Sequence, residues 1–106
     1  MLKSKKNLKN QIKQLPTKPG VYLFKNNNNQ VMYIGKAKNL KSRASSYLKS
    51  TGTNLKSDTI LETSTSIEHI ETSNEVEALL LEAKLIQAHQ PQYNILLKFG
   101  QPFLYI

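Results

Sequence analysis

Apolar positions recur along this chain in two rhythms. At the start, Leu2, Leu8, Ile12 and Leu15 stand among lysines, asparagines and glutamines. That thin stripe predicts a weak helix over residues 3–14. Leu15-Pro16-Thr17-Lys18-Pro19-Gly20 stops it, because each proline disfavours helix in the residue before it. Val21–Phe24 and Val31–Ile34 are β-rich runs separated by the polar Asn26–Asn29 turn, which predicts an antiparallel hairpin. Gly35 is expected to end the second strand, and residues 36–49 then carry a helical period. Residues 50–57 read as a mobile loop, with a short helical turn from Asp58 to Leu61. Ile67–Thr72 alternates as a third strand. Thr72, Ser73 and Asn74 are all candidate N-caps, and Thr72 with Glu75 has capping-box spacing. The helix that follows should run to about Gln90, where Pro91 closes it. Tyr93–Leu97 is short and apolar. The sum is an α+β fold, a small antiparallel sheet with helices around it.

The chain has 106 residues, enough for one domain with a modest core. It has no cysteine, which excludes disulfides and thiolate metal sites. No apolar run approaches the ~20 residues of a transmembrane helix. The basic start, Met1–Lys6, has no apolar segment after it and is not a secretory signal. A soluble cytoplasmic protein with no membrane partner is the expectation. Residues 1–14 form a basic helix or arm, 15–98 the domain proper, and 99–106 an apolar segment. That segment ends in Phe103-Leu104-Tyr105-Ile106 without a polar tail, as expected of a domain taken from a longer protein.

Charge changes the picture. The net value is +8, but residues 1–57 hold thirteen Lys or Arg and no acid, whereas residues 58–106 hold two Lys and all seven acids. So many cations without an anion repel one another unless they face water or an anionic partner. Nucleic acid is the commonest such partner, an anionic membrane surface is another, and a merely solvated lysine-rich surface is the plain alternative.

Three groups of residues carry candidate chemistry. Tyr22 and Tyr33 lie on the two hairpin strands, where tyrosine commonly serves packing. Gly35 lets another group approach the backbone closely, and Lys36 follows it at once. On the predicted helix after Gly35, Lys36, Leu40, Arg43 and Tyr47 share one narrow arc. Ala37, Ala44 and Leu48 turn beside it to the core. Lys36, Arg43 and Tyr47 can clamp a phosphate from that margin, or the two cations can simply snorkel from the core edge. On the last long helix, Glu82 falls inside the apolar arc of Ala78, Leu79, Leu81, Leu85 and Ile86. A carboxylate there must be paired, protonated, metal-bound or at a pocket mouth. One carboxylate completed by waters and phosphates suits Mg²⁺, and a salt bridge to Arg43 or a lysine is the competing reading. Glu75 and His89 lie on the same stripe two turns away on either side.

In order along the chain, Pro19-Gly20-Val21-Tyr22-Leu23-Phe24, then Met32-Tyr33-Ile34-Gly35-Lys36-Ala37-Lys38-Asn39-Leu40, then Arg43 and Tyr47-Leu48, then Glu75–Ile86, then Pro91-Gln92-Tyr93-Asn94-Ile95 form a pattern. It resembles the GIY-YIG nuclease domains of the UvrC branch of DNA-repair excinucleases, from Leu15 to Lys98. The resemblance implies a three-stranded antiparallel sheet flanked by helices. It implies a divalent metal, Mg²⁺ or Mn²⁺, held by Glu82, with phosphate contacts from Lys36, Arg43 and Tyr47. It makes Tyr22 and Tyr33 active-site tyrosines and Asn94 a supporting residue. It further implies a DNA substrate, the incision 3′ to a lesion in nucleotide excision repair, and a partnership with the damage-loading excinuclease component, UvrB. Two departures stand out. The first motif reads Gly20-Val21-Tyr22 rather than Gly-Ile-Tyr, and the charges that usually follow Lys98 are missing from Phe99–Ile106. A UvrC-like nuclease outside excision repair and a non-catalytic nucleic-acid-binding module are the rival expectations.

Phosphodiester hydrolysis needs an activated water, neutralised phosphate charge and help for the leaving oxygen. No histidine sits near either tyrosine motif, and no carboxylate occurs in residues 1–57. The base is then a tyrosine or a hydroxide held by the metal. A free phenol titrates near ~10, so a tyrosine base needs cations beside it. Tyr33 is the favoured base with Tyr22 supporting, and the reverse assignment stays open.

Overall fold

The computed structural model describes the backbone of residues 2–99 and the side chains of residues 7–95. Residues 100–106, most of the segment set apart at the end of the chain, lie outside the described residues.

The sheet has three antiparallel strands: β1 (Gly20–Lys25), β2 (Val31–Ala37) and β3 (Ser66–Glu71), in the order β2-β1-β3. Central β1 is buried on both faces, which is why Val21-Tyr22-Leu23-Phe24 is a continuous apolar run rather than an alternating one. The hairpin turn is organised by Asn26. Its side-chain oxygen accepts from the amides of Asn28 and Gln30, at 2.9 and 3.0 Å. Asn29 takes the left-handed conformation (φ 63°) that asparagine tolerates better than most residues.

Alternation along the strands separates two cores. Tyr22, Phe24, Ala37 and Ile67 face one side, where Leu8, Ile12, Leu40, Ala44, Tyr47 and Ile60 bury against them. These come from α1 (Leu2–Lys13), α2 (Leu40–Lys49) and α3 (Leu55–Thr63). Val21, Leu23 and Ile34 face the other side, covered by Ala78, Leu81, Leu85 and Ile86 of α4 (Glu75–His89). A last helix, α5 (Gln92–Phe99), lies along β2.

Asparagine starts three of the helices. Asn39, Asn54 and Asn74 each accept from the amide three residues on, which satisfies a donor the helix itself leaves open. The capping box of α4 is therefore built on Asn74, with Glu77 reaching back to the amide of Ser73 at 3.0 Å, rather than on Thr72 and Glu75. Gln90, left-handed at φ 47°, closes α4 ahead of Pro91. Both sheet edges are covered by side-chain amides. Gln11 accepts from the Ile67 amide of β3 at 2.9 Å, and Asn94 bridges Ile34 of β2.

Three expectations need correction. Gly35 does not end β2, which runs on to Ala37, and the helix begins at Leu40 once Asn39 caps it. Lys36 is thus a strand residue and shares no helical arc with Arg43 and Tyr47. The stretch expected to be a loop up to Ser57 is helical from Leu55, because Asn54 caps it and Asp58 complements the dipole of its first turn. On α4, Leu79 is 49 % exposed and not part of the packed stripe.

Candidate active site

β1 and β2 set Tyr22 directly opposite Gly35. The phenol of Tyr22 lies across that glycine: a Cβ on Gly35 would stand 2.3 Å from both Cζ and the hydroxyl. The close approach that a glycine permits here is thus made by a side chain of the protein itself. The ring is buried, and its hydroxyl is 2.9 Å from that of Tyr47, whose ring is buried as well. Burial pushes the Tyr22 phenol up to about 12, although the hydrogen bond with Tyr47 and the Arg43 charge pull the other way. Burial raises the Tyr47 phenol too, reinforced by the oxygens of Tyr22 and Tyr33. Both hydroxyls are therefore donors at neutral pH.

Tyr33 differs. It is half-buried, with its ring centroid 6.5 Å from that of Tyr22, at the rim of the same aromatic cluster. Arg43, exposed on α2, stacks 5.4 Å from the Tyr47 ring, donates to Ser46 at 3.2 Å and faces the Tyr22 hydroxyl. Partial burial opposes its charge, and the phenol oxygens of Tyr22, Tyr47 and Tyr33 outweigh that, so its pKa lies above the ordinary arginine value. Lys36, Lys38, Asn39, Ser42, Arg43 and Ser46 line an open groove between the end of β2 and the start of α2.

Glu82 reaches the same strand from the opposite layer. It is half-buried on α4, and burial raises its pKa, opposed by the Lys36 charge, the Lys36 backbone N–H and the Lys56 charge. Among the described residues, the ion pairs closer than 4.0 Å are Lys25 with Glu68 and His69 with Glu71, so Glu82 is not locked in a salt bridge. Glu75 and His89 are exposed at the two ends of α4. No group of three His, Cys, Asp or Glu side chains gathers among the described residues.

Asn94 plays a different part. Its Oδ1 accepts from the Ile34 amide at 2.8 Å, and its Nδ2 donates to the Ile34 carbonyl at 2.9 Å. It acts as a substitute neighbouring strand, holding the edge on which Tyr33 and Lys36 sit. Both polar atoms of its side-chain amide are thus engaged by the β2 backbone.

One further residue beside the candidate site was not legible in the sequence. Lys56 of α3 places its Nζ 4.9 Å from the centroid of the Tyr33 ring and also faces Glu82. The signal available was Asn54 with Asp58, a helix start where a loop was expected.

A small α+β domain that gathers phenols, cations and one carboxylate outside the close ion pairs of the described residues around a sheet edge has the make-up of a phosphate-handling enzyme. The chain matches the family model of the UvrC-like GIY-YIG domain over residues 18–95, and it belongs to that family. Among curated relatives, the UvrABC system protein C of Petrotoga mobilis is 50% identical over 97 residues, 90% of this chain and 17% of that protein. That of Aquifex aeolicus is 50% identical over 93 residues, 88% of this chain and 16% of that protein. The chain thus spans about a sixth of the length of the curated relatives it matches. The GIY-YIG N-terminal endonuclease domain of UvrC from Thermotoga maritima, solved with its catalytic magnesium, superposes with a TM-score of 0.75 at 42% identity. That match covers 82% of this chain and 94% of the solved one. Three Tyr-to-Phe variants and one Asn-to-Ala variant of the Thermotoga domain were also solved with the divalent cation bound.

Proposed function

We propose that this domain is a metal-dependent endonuclease that hydrolyses one phosphodiester in one strand of DNA. In its full-length context it makes the 3′ incision of nucleotide excision repair in the bacterial cytoplasm, on DNA presented by the damage-loading component UvrB. The observation that carries the reading is Glu82: a half-buried carboxylate, outside the close ion pairs of the described residues, set against Lys36 at the edge strand that also carries Tyr33.

The donor set fits a magnesium-like ion. One carboxylate, with no cluster of further protein ligands among the described residues, leaves the remaining positions to water and phosphate oxygens, the arrangement Mg²⁺ prefers. The magnesium reported for the Thermotoga domain, and a divalent cation that stays bound when single tyrosines there are replaced, support a metal held by a carboxylate rather than by a phenol. When bound, the ion supplies positive charge to the phosphate and the leaving 3′-oxygen.

The residues of the chain supply the rest. Lys36 and Arg43 border the groove and neutralise the non-bridging oxygens of the phosphate. Tyr22 and Tyr47 are buried, protonated and hydrogen-bonded to each other, so they orient rather than abstract. Tyr33, at the rim beside the Lys56 ammonium, gives up its own proton to solvent and as the phenolate takes the proton from the attacking water. As that oxygen bonds to phosphorus, the P–O3′ bond breaks and the 3′-oxygen is protonated by solvent. Asn94 keeps β2, and with it Tyr33 and Lys36, in register.

The test is a nicking assay on damaged plasmid, using the full chain and its damage-loading partners, with Mg²⁺ and with EDTA. Wild type should nick only with Mg²⁺, and Glu82→Gln should bind DNA, stay folded and fail to nick. Full nicking by Glu82→Gln would refute the reading. DNA binding without nicking by the wild type would favour a silent binding module.

A further inference from the structure

We infer that Lys56, in the first turn of α3, is a third phosphate-contacting cation of the active site. The inference rests on the nuclease reading and adds a residue, and a structural element, to it.

Two neighbours define the position of its ammonium. On one side is the Tyr33 ring, 4.9 Å from Nζ to the centroid. On the other is the Glu82 carboxylate, close enough to feel the lysine charge, yet not within the 4.0 Å of an ion pair. A lysine whose purpose was to neutralise Glu82 would close that gap. A lysine lying idle on the surface would extend into water, and α3 offers exposed positions for one, such as Leu55 and Glu62. Lys56 is instead half-buried, against the ring of the phenol proposed as base and within electrostatic reach of the carboxylate proposed as metal ligand. An ammonium has three N–H donors, and a ring face satisfies them poorly. The donors that remain point to a ligand rich in acceptors, and the phosphate that Tyr33 and Glu82 jointly require is such a ligand.

Several local interactions fix this placement. Asn54 caps α3, so that Lys56 falls in its first turn. The Asp58 carboxylate accepts twice from the Gly52 amide, at 2.9 and 3.1 Å, which ties the 50–54 turn back onto the helix. Gly52 itself is left-handed at φ +85°, a conformation other residues rarely adopt. Lys56 therefore stands on an anchored helix start.

The test compares Lys56→Met, which keeps length without charge, with Lys56→Arg, and uses Lys49→Ala on the exposed end of α2 as a surface-cation control. Single-turnover incision at saturating DNA, DNA affinity and melting temperature are measured in the full chain. Lys56→Met should cut roughly 100- to 1,000-fold more slowly, as expected on losing one preorganised donor. Its affinity should change no more than that of Lys49→Ala, its melting should stay at the wild-type value, and Lys56→Arg should recover most of the rate. Wild-type cutting by Lys56→Met at saturating DNA would reduce Lys56 to one more surface cation. A slow variant that also melts early and is not rescued by arginine would make it a structural lysine. Either result overturns the inference. The two levels remain separable: if Glu82→Gln cuts normally the nuclease reading fails, whereas a dead Glu82→Gln beside an active Lys56→Met sinks the Lys56 inference alone.

Discussion

At Gly35 a single hydrogen atom on Cα leaves room for the Tyr22 ring. Gly35→Ala puts a methyl into that ring, which is buried and hydrogen-bonded to Tyr47 and so must be displaced from its packing. We expect a loss of roughly 3 kcal/mol in stability, the upper range for overpacking, together with loss of incision. Chemical denaturation measures the first, and an unchanged midpoint would mean that the Tyr22 ring does not lie across Gly35. Tyr22 and Tyr33 should separate by hydroxyl removal. Tyr22→Phe strands the buried Tyr47 hydroxyl and should cost about 1–2 kcal/mol, whereas Tyr33→Phe should melt like wild type and still fail to cut. Equal melting losses in both would give Tyr33 a structural role. Glu82 adds a pH signature. Its folded-state pKa is raised chiefly by burial, so the neutral carboxyl is the form the fold prefers. The stability this contributes is complete below the ordinary carboxylate range and is lost as pH rises through the raised pKa. In EDTA, Glu82→Gln should therefore melt slightly above wild type at pH 7 and level with it near pH 4. A difference confined to acid would reverse the sign.

Among the elements, β2 is the one around which the candidate site gathers. It is an edge strand, so both faces and its outer backbone rim are open to helices from either layer. Tyr33 projects toward the α1–α2–α3 side, while Ile34 packs against α4 and Glu82 meets the Lys36 backbone. A central strand would have no rim on which such groups could meet. Asn94 is what α5 contributes to that rim. Asn94→Ala removes two hydrogen bonds from Ile34 and should cost about 1–2 kcal/mol, with faster amide exchange at Ile34 than at Leu23 of β1. Unchanged exchange at Ile34 would show that α5 does not hold the edge.

For the whole molecule, the charge asymmetry maps onto elements. The cation-only stretch supplies α1, the hairpin, α2 and Lys56 at the start of α3, and the acids follow on α3, β3 and α4. Among them, Glu82 is the acid set against Lys36. DNA affinity should accordingly fall steeply with salt, with a log–log slope of roughly −0.9 for each phosphate contacted in duplex. Lys36→Ala and Arg43→Ala should each make the slope shallower by about one contact. A flat salt series would remove the basic half as the binding surface. No described helix is long and apolar enough to cross a membrane.

Strand and helix identities were legible because local rules act over a few residues: the Val21–Phe24 run, the Asn-rich turn, the break at Pro91, and the capping signals before α4. The family was legible for a related reason, since its motifs are short blocks whose order survives in one dimension. The junctions were not. Whether β2 stops at Gly35 or continues to Ala37 depends on pairing with β1, a contact between residues distant in the chain, and helical periodicity extrapolated backwards from α2 placed Lys36 on the wrong element. Burial was decided the same way. Tyr47 and Arg43 share one helical arc, yet one is buried against Tyr22 and the other exposed, because only the sheet packed beneath α2 separates them. Glu82 could be singled out from its apolar stripe alone, since a carboxylate there is anomalous whatever it faces. Lys56 could not, because one lysine among thirteen early cations differs from the rest only once α3 has brought it over Tyr33.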